Sequence, residues 1–358
     1  MSPETATQLP QTPPSSRLDG LDLGRFLAFV GMVVVNFKIV MGAETGQGVL
    51  EALTGALEGR AAASFVVLAG IGLGLAGARQ LEQTITVTIR RAVFLLAIGL
   101  LNMTVFEADI LHYYAVYFLF GVILLPFSTR ALGAVIVALN LGFVLMILTL
   151  NYDAGWDWQD YSYSDFWTPI GFVRNLMFNG WHPVIPWLGF LLLGIILSRL
   201  SLEARSTQIK LVIWGALAII VAEGLSFWLA QQVGQTDPDL LALLSTAPVP
   251  PMPLYTLAGS GAASVLIGLC LLGANQLKRW GILGLLTPAG RQTLTLYIAH
   301  ILLGMGTLDA LGMLGGQSTA TAVLASLIFC LLATVYALIW SWYFKRGPVE
   351  ALMRKLAG

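Results

Sequence analysis

The sequence predicts an all-α, polytopic transmembrane bundle of about ten spans, and three observations carry that expectation. Hydrophobic residues fill 57% of the 358 positions and charged residues only 11%, with a mean hydropathy of +0.80, far from the soluble average. Apolar runs of bilayer-spanning length recur from one end of the chain to the other. The basic residues are segregated: with the N-terminus inside, 16 of the 19 Lys and Arg fall on the cytoplasmic side, Lys38, Arg60 and Arg174 excepted. Such a bias calls for an even number of spans with both termini in the cytoplasm. No soluble domain fits between the runs, and no nucleic-acid partner is expected.

Residues 1–16, rich in Pro, Thr, Ser and Gln and without a basic start, read as a disordered cytoplasmic tail and not a signal peptide. The bundle is expected over residues 17–345, with an amphipathic cytoplasmic segment at 346–358. The first span, 21–41, holds Asp22, Arg25, Asn36 and Lys38. Asp22 and Arg25 are i,i+3 neighbours. Asn36, eleven residues past Arg25, returns to nearly the same face about 16 Å away. An acid, a base and an amide thus share one stripe, and such groups in a membrane helix face a bundle interior or a wet cavity. Snorkelling by Arg25 and helix capping by Asp22 are the structural alternative.

The second span, 61–78, carries Gly70, Gly72 and Gly74. A nucleotide-binding glycine loop needs a strand before it, so close helix packing is the better account. Arg90 and Arg91 open the third span, 88–106, either as topology anchors or as an anion site together with Arg25. The fourth, 110–127, begins with Asp109, His112 and Tyr113 at i, i+3 and i+4, so one face presents a carboxylate, an imidazole and a phenol. An Asp–His pair orients a base; an interfacial belt uses the same residues. The fifth span is 131–150.

Residues 151–181, expected outside, mix Asp153, Asp157, Asp160 and Asp165 with Trp156, Trp158, Trp167 and Trp181. That composition suits stacking and hydrogen bonding to a sugar or other polar acceptor, and it equally suits an interfacial loop. His182, Pro183 and Pro186 start the sixth span, 183–200, as a helix entry or a locally broken turn. Spans follow at 208–231, 254–274, 292–312 and 320–343. Arg291 stands at the cytoplasmic start of the ninth, and His300 lies about 13 Å deeper, near the midplane. Cys270 and Cys330 fall in apolar spans as packing residues. Metal-ligand spacing and a serine elbow are both missing, so no metal is expected.

The runs RLDGLDLGRFLAF and VVVNF resemble the opening signature of the heparan-α-glucosaminide N-acetyltransferase-like superfamily. Arg90-Arg91, DILHYYAVYF and HPVIPWLGFLLLG resemble its middle helices, and GRQTLTLYIAH with GPVEALMRK its bacterial YeiB-type members. Phe26 replaces the family's glycine, and residues 37–59 lack the histidine that the eukaryotic enzyme carries there. The resemblance implies a membrane acyltransferase in the bacterial inner membrane, using cytosolic acetyl-CoA or another acyl-CoA as co-substrate. Arg25, Arg90, Arg91 and Arg291, with Asp22, would form the cofactor end, and Asn36 and His300 would meet the thioester. His112, oriented by Asp109, and His182 would lie nearer the acceptor, with His182 first in rank as base. Expected partners are the lipid bilayer, a small-molecule or glycan acceptor and a second copy of the chain. A transporter or exporter of a small polar molecule is the alternative use of the same stripe.

Overall fold

The computed structural model describes residues 18–43, 48–233 and 237–358; the 1–16 tail lies outside them. Each of the ten apolar runs becomes helical. Helix α1 (Asp19–Val40) is followed by a short α2 (Val49–Gly55), α3 (Arg60–Arg79), α4 (Leu81–Asn102), α5 (Leu111–Leu124) and α6 (Thr129–Thr149). A two-residue hairpin, β1 (Trp156–Asp157) against β2 (Ser162–Tyr163), precedes α7 (Pro169–Arg174), which widens to a π-helix over Asn175–Asn179. Then come α8 (Val184–Ser198), α9 (Arg205–Val233), α10 (Pro238–Leu243), α11 (Pro253–Arg279) and α12 (Leu283–Arg291). Helix α13 (Thr293–Ala299) runs through a second π-helix, His300–Met305, into α14 (Gly306–Ala310), and α15 (Thr319–Tyr343) and α16 (Pro348–Ala357) close the chain.

Among the described residues eight helical segments are long and apolar enough to cross a membrane, and α7 with α8 makes a ninth, bent by 51°. The prolines at 183 and 186 lie in or just after that break, where backbone groups freed by proline can be satisfied within the protein. The remaining run, the fourth in chain order, becomes α5 with 14 residues. It rises only about 21 Å, short of the ~30 Å hydrocarbon core, and buries most of one face inside the bundle. The protein is therefore all-α and polytopic, with one short internal helix and one broken one among the ten.

Helix α1 is central, packed against α3, α11, α12 and α15, and α3 in turn lies along α8. A Cβ at Gly70 would stand 2.1 Å from the Leu191 carbonyl oxygen, so this α3–α8 approach requires glycine, as small-residue packing in membranes does. Helices α6 and α9 are peripheral. Leu141, Leu145 and Leu148 of α6 and Ile213, Ile220 and Phe227 of α9 are all exposed, an apolar belt suited to lipid.

Candidate functional site

At the end of α1 that begins with Asp19, the carboxylate of Asp22 is almost fully buried and sits between two guanidinium groups. Arg25 Nη1 is 2.6 Å from its Oδ1 and Arg291 Nε 3.0 Å from its Oδ2. Arg291 also reaches Asp19 at 3.1 Å. Gly290 permits this approach, since a Cβ there would lie 1.9 Å from the Asp22 carbonyl. Beside this cluster opens a cavity of about 760 Å³, lined by Arg25, Arg79, Arg91, Arg291 and Arg354, by the side chain of Glu350 and by Gly358. Arg91 faces it; Arg90 does not and is exposed. Adjacent helical positions point about 100° apart, so only one of the pair can face in. The donor set fits a ligand bearing phosphate, for which arginine's planar fork is suited.

At the other end of the bundle a second cavity, about 380 Å³, is lined by Asn36, Lys38, Glu58, Tyr161, Trp181 and His182, with Trp187 at its wall. Lys38 Nζ donates to Glu58 at 2.9 Å. The indole N–H groups of Trp181 and Trp187 and Nδ1 of His182 are buried here without hydrogen-bond partners, an uncommon condition for buried polar atoms. The four aspartates of the preceding loop do not line this cavity. Asp153 accepts from Trp158, Asp157 and Asp160 accept the amides of Gln159 and Ser162, and Asp165 pairs with Arg174 at 2.6 Å. They shape the loop that carries Tyr161 and Trp181. Glu107 ties it to the α4–α5 turn by accepting the Tyr163 amide at 3.0 Å. Burial raises the Glu107 carboxyl above its usual range, against the opposing effect of that hydrogen bond.

The two cavities share three wall residues: Met32, Ile110 and Tyr297. Tyr297 gathers the remaining polar residues. Its hydroxyl donates to Asp109 Oδ1 at 3.0 Å and accepts from the Ile110 amide at 3.2 Å. Its carbonyl accepts from Nδ1–H of His300. That leaves Nε2 of His300 as the acceptor for the Asn36 amide, 3.0 Å away. Asp109 is fully buried and also takes Asn102 Nδ2 and the Leu111 amide. Nδ1 of His112 is 3.5 Å from Asp109, and neither ring nitrogen has a hydrogen bond. The His112 ring packs on Tyr113, which meets His182 edge-on. The five polar residues expected to carry chemistry therefore surround one partition, and His182 and Asn36 line the aromatic cavity directly. Sequence reasoning missed Tyr297, Arg79 and Arg354. Tyr297 had a signal, standing three residues before His300 on the same helical face.

The catalytic region of the heparan-alpha-glucosaminide N-acetyltransferase family matches residues 17–233, more than half of the chain. The chain belongs to that family. A second family, proteins of unknown function (DUF418), matches residues 197–358. No curated protein matches the chain. The acetyltransferase-family region supplies Asp22, Arg25, Asn36, Arg91, Asp109, His112 and His182. Arg291, Tyr297, His300 and Arg354 come from the second region, so both cavities are built across the two. Among the described residues no group of three His, Cys, Asp or Glu is placed to hold a metal.

Proposed function

We propose that this member of the N-acetyltransferase family moves an acyl group, acetyl foremost, from cytosolic acyl-CoA to an amine or hydroxyl acceptor, sugar-like in character, that enters from the opposite face. The observation that carries this reading is the pair of end-to-end cavities, one arginine-lined and one aromatic, meeting at Met32, Ile110 and Tyr297. The arginine-lined end is assigned to the cytoplasm by the distribution of basic residues, in a bacterial inner membrane. The donor's phosphates would face the arginines and its thioester the partition.

As the acceptor nitrogen or oxygen attacks the thioester carbonyl, its proton must leave, and histidine is the usual group tuned for that near neutral pH. His182 is favoured as the base, because it lines the aromatic cavity while His112 and His300 stand behind its wall. Asn36, held by His300, has a second amide proton with which to polarise the carbonyl. Asp109 and His112 act as positioning groups through Tyr297 and Tyr113.

The test is thiol release from acetyl-CoA by the purified protein with glucosamine as the probe acceptor, and mass spectrometry of the acylated product. Uptake of a polar solute into vesicles with the thioester left intact would instead establish a transporter. Orientation is checked with whole cells: a Gln159→Cys variant should react with an impermeant thiol reagent and Ser206→Cys should not.

A further inference from the structure

The chain turns after α15, and one side chain fixes the turn. The indole N–H of Trp340 donates to the Arg346 carbonyl at 2.8 Å while its ring stacks on Phe344, centroids 4.4 Å apart. Helix α16 is then fastened by its inner face. Glu350 accepts the amides of Leu294 and Thr295 at 2.8 and 3.1 Å and the Thr295 hydroxyl at 2.5 Å. That hydroxyl accepts in turn from the Val349 amide at 3.1 Å. Gly347 permits the approach, since a Cβ there would lie 2.6 Å from Thr295 Oγ1. On the same side Met353 lines the larger cavity and Ala357 is buried.

The outer face is built differently. At about 100° per residue, Leu352, Lys355 and Leu356 share one side of the helix, turned away from Glu350, Met353 and Ala357. Leu352 and Leu356 are 48% and 63% exposed, and Lys355 is exposed between them. The adjoining end of α15 adds exposed Trp342, Tyr343 and Phe344, then exposed Lys345 and Arg346. None of these three cations pairs with a side-chain carboxylate among the described residues. Glu350 is the only acidic side chain after Asp309, and it is turned inward, so the outer surface carries apolar and basic groups alone. Upstream, Leu327, Leu331 and Val335 of α15 are exposed too, which makes this surface the continuation of an apolar face suited to lipid tails. Aromatic rings at a span's end, then cations beside an amphipathic helix, match the depth at which tails give way to headgroups. We propose that the outer face of α16, with the end of α15, docks on anionic phospholipid: Leu352 and Leu356 seat among the upper acyl carbons, and Lys345, Arg346 and Lys355 meet the lipid phosphates. Because Met353 projects from the opposite side, lipid contact and the wall of the larger cavity share one helix.

The experiment places an environment-sensitive fluorophore on Ala351→Cys, an exposed position outside the docking groups. Cys270 and Cys330 are buried, so the new thiol takes the label. The full chain is compared, one copy per nanodisc, in phosphatidylcholine alone and in phosphatidylcholine mixed with phosphatidylglycerol. Phosphatidylglycerol should shift emission to the blue and raise quenching by spin-labelled lipid. Each Gln replacement at Lys345, Arg346 or Lys355 should lower the ratio of lipid-seated to water-exposed label about 5-fold in the mixed discs, and the triple variant should no longer distinguish the two lipids. Salt at about 1 M should shrink the difference as well, since screening then acts within about 3 Å. Leu352→Gln with Leu356→Gln should leave the label in water in both discs. All five side chains are exposed, so an unchanged thermal melt is expected and separates lost docking from lost folding. A label that stays in water in the mixed discs, or a triple variant that still responds to phosphatidylglycerol, would overturn the proposal. So would shielding that arises only in larger discs holding two copies, because the partner would then be a second chain and not a lipid.

Discussion

The two ends of α1 handle buried polarity in opposite ways. At one end Asp22 is enclosed by Arg25 and Arg291, so charge is met by charge within the protein. At the other, Asn36 holds His300 through a hydrogen bond of an uncharged imidazole, while His182, Trp181 and Trp187 keep buried nitrogens without partners. A satisfied cluster fixes helices; an unsatisfied one is where a ligand gains most, because its polar atoms replace missing hydrogen bonds. The stripe that looks uniform along the helix is thus a structural clasp at its start and a binding wall near its finish.

The sharpest way to break this comparison is at the unsatisfied end. His182→Ala should lower acyl transfer by roughly 10²–10⁴, the range for loss of a general base, with the melting temperature little changed. Steady-state thiol release measured beside a thermal melt separates the two. Near-full turnover in His182→Ala would move the base elsewhere, with His112 the next to test.

The satisfied end should respond in the opposite sense. Asp22→Asn leaves two guanidinium groups beside a neutral amide, and breaking a buried ion pair costs about 3–5 kcal/mol. The low end, about 3 kcal/mol, is expected here because Arg25 and Arg291 side chains remain 27% and 38% exposed. A melt of the detergent-solubilised variant would show a large drop in transition temperature. An unshifted melt would mean that the clasp is not structural, and the contrast between the two ends would fall.

Much of this was legible in the sequence, for identifiable reasons. The α1 stripe follows from helix periodicity alone, so Asp22, Arg25 and Asn36 could be placed on one face before any neighbour was known. Their partners could not. Asn36 and His300 are 264 positions apart, and Arg291 is 269 from Asp22. Arg90 and Arg91 were indistinguishable because nothing in a run of two cations says which way the helix is turned. The role of Tyr297 was hidden because it comes from Asp109, 188 positions away in the α4–α5 connection. The aspartates at 153, 157 and 160 invited a ligand reading by composition, but each serves a bond within five residues of itself. Short-range partners of that kind leave no trace in composition.

A smaller effect tests the Asn36–His300 link. Asn36→Leu keeps much of the volume but strips Nε2 of His300 of its donor. Leaving a buried acceptor unpaired costs about 1–3 kcal/mol. In a double-mutant cycle with His300→Phe, the two changes should be less than additive, since the second removes the atom the first orphaned. Strict additivity in the melts would show that the two side chains do not share a bond.

The smallest expected effect lies at the loop that carries Tyr161 and Trp181, and it has a defined sign. Burial raises the Glu107 carboxyl above its ordinary value, although the Tyr163 amide it accepts works against that. A carboxyl with a raised pKa in the folded state binds its proton more tightly there than in the unfolded chain. Its contribution is therefore fully stabilising below the unfolded pKa and is lost as pH rises through the raised folded value. Glu107→Gln keeps an oxygen to accept from Tyr163 and cannot ionise. It should melt with the wild type near pH 4 and slightly above it at pH 7–8. The gain should be small, because the group is only partly buried and solvent screens it. A variant that melts below the wild type at pH 7–8 would show that the Glu107 charge, and not only its hydrogen bond, holds the loop over the aromatic cavity. The unsatisfied end would then depend on a second charged group beside the Lys38–Glu58 pair.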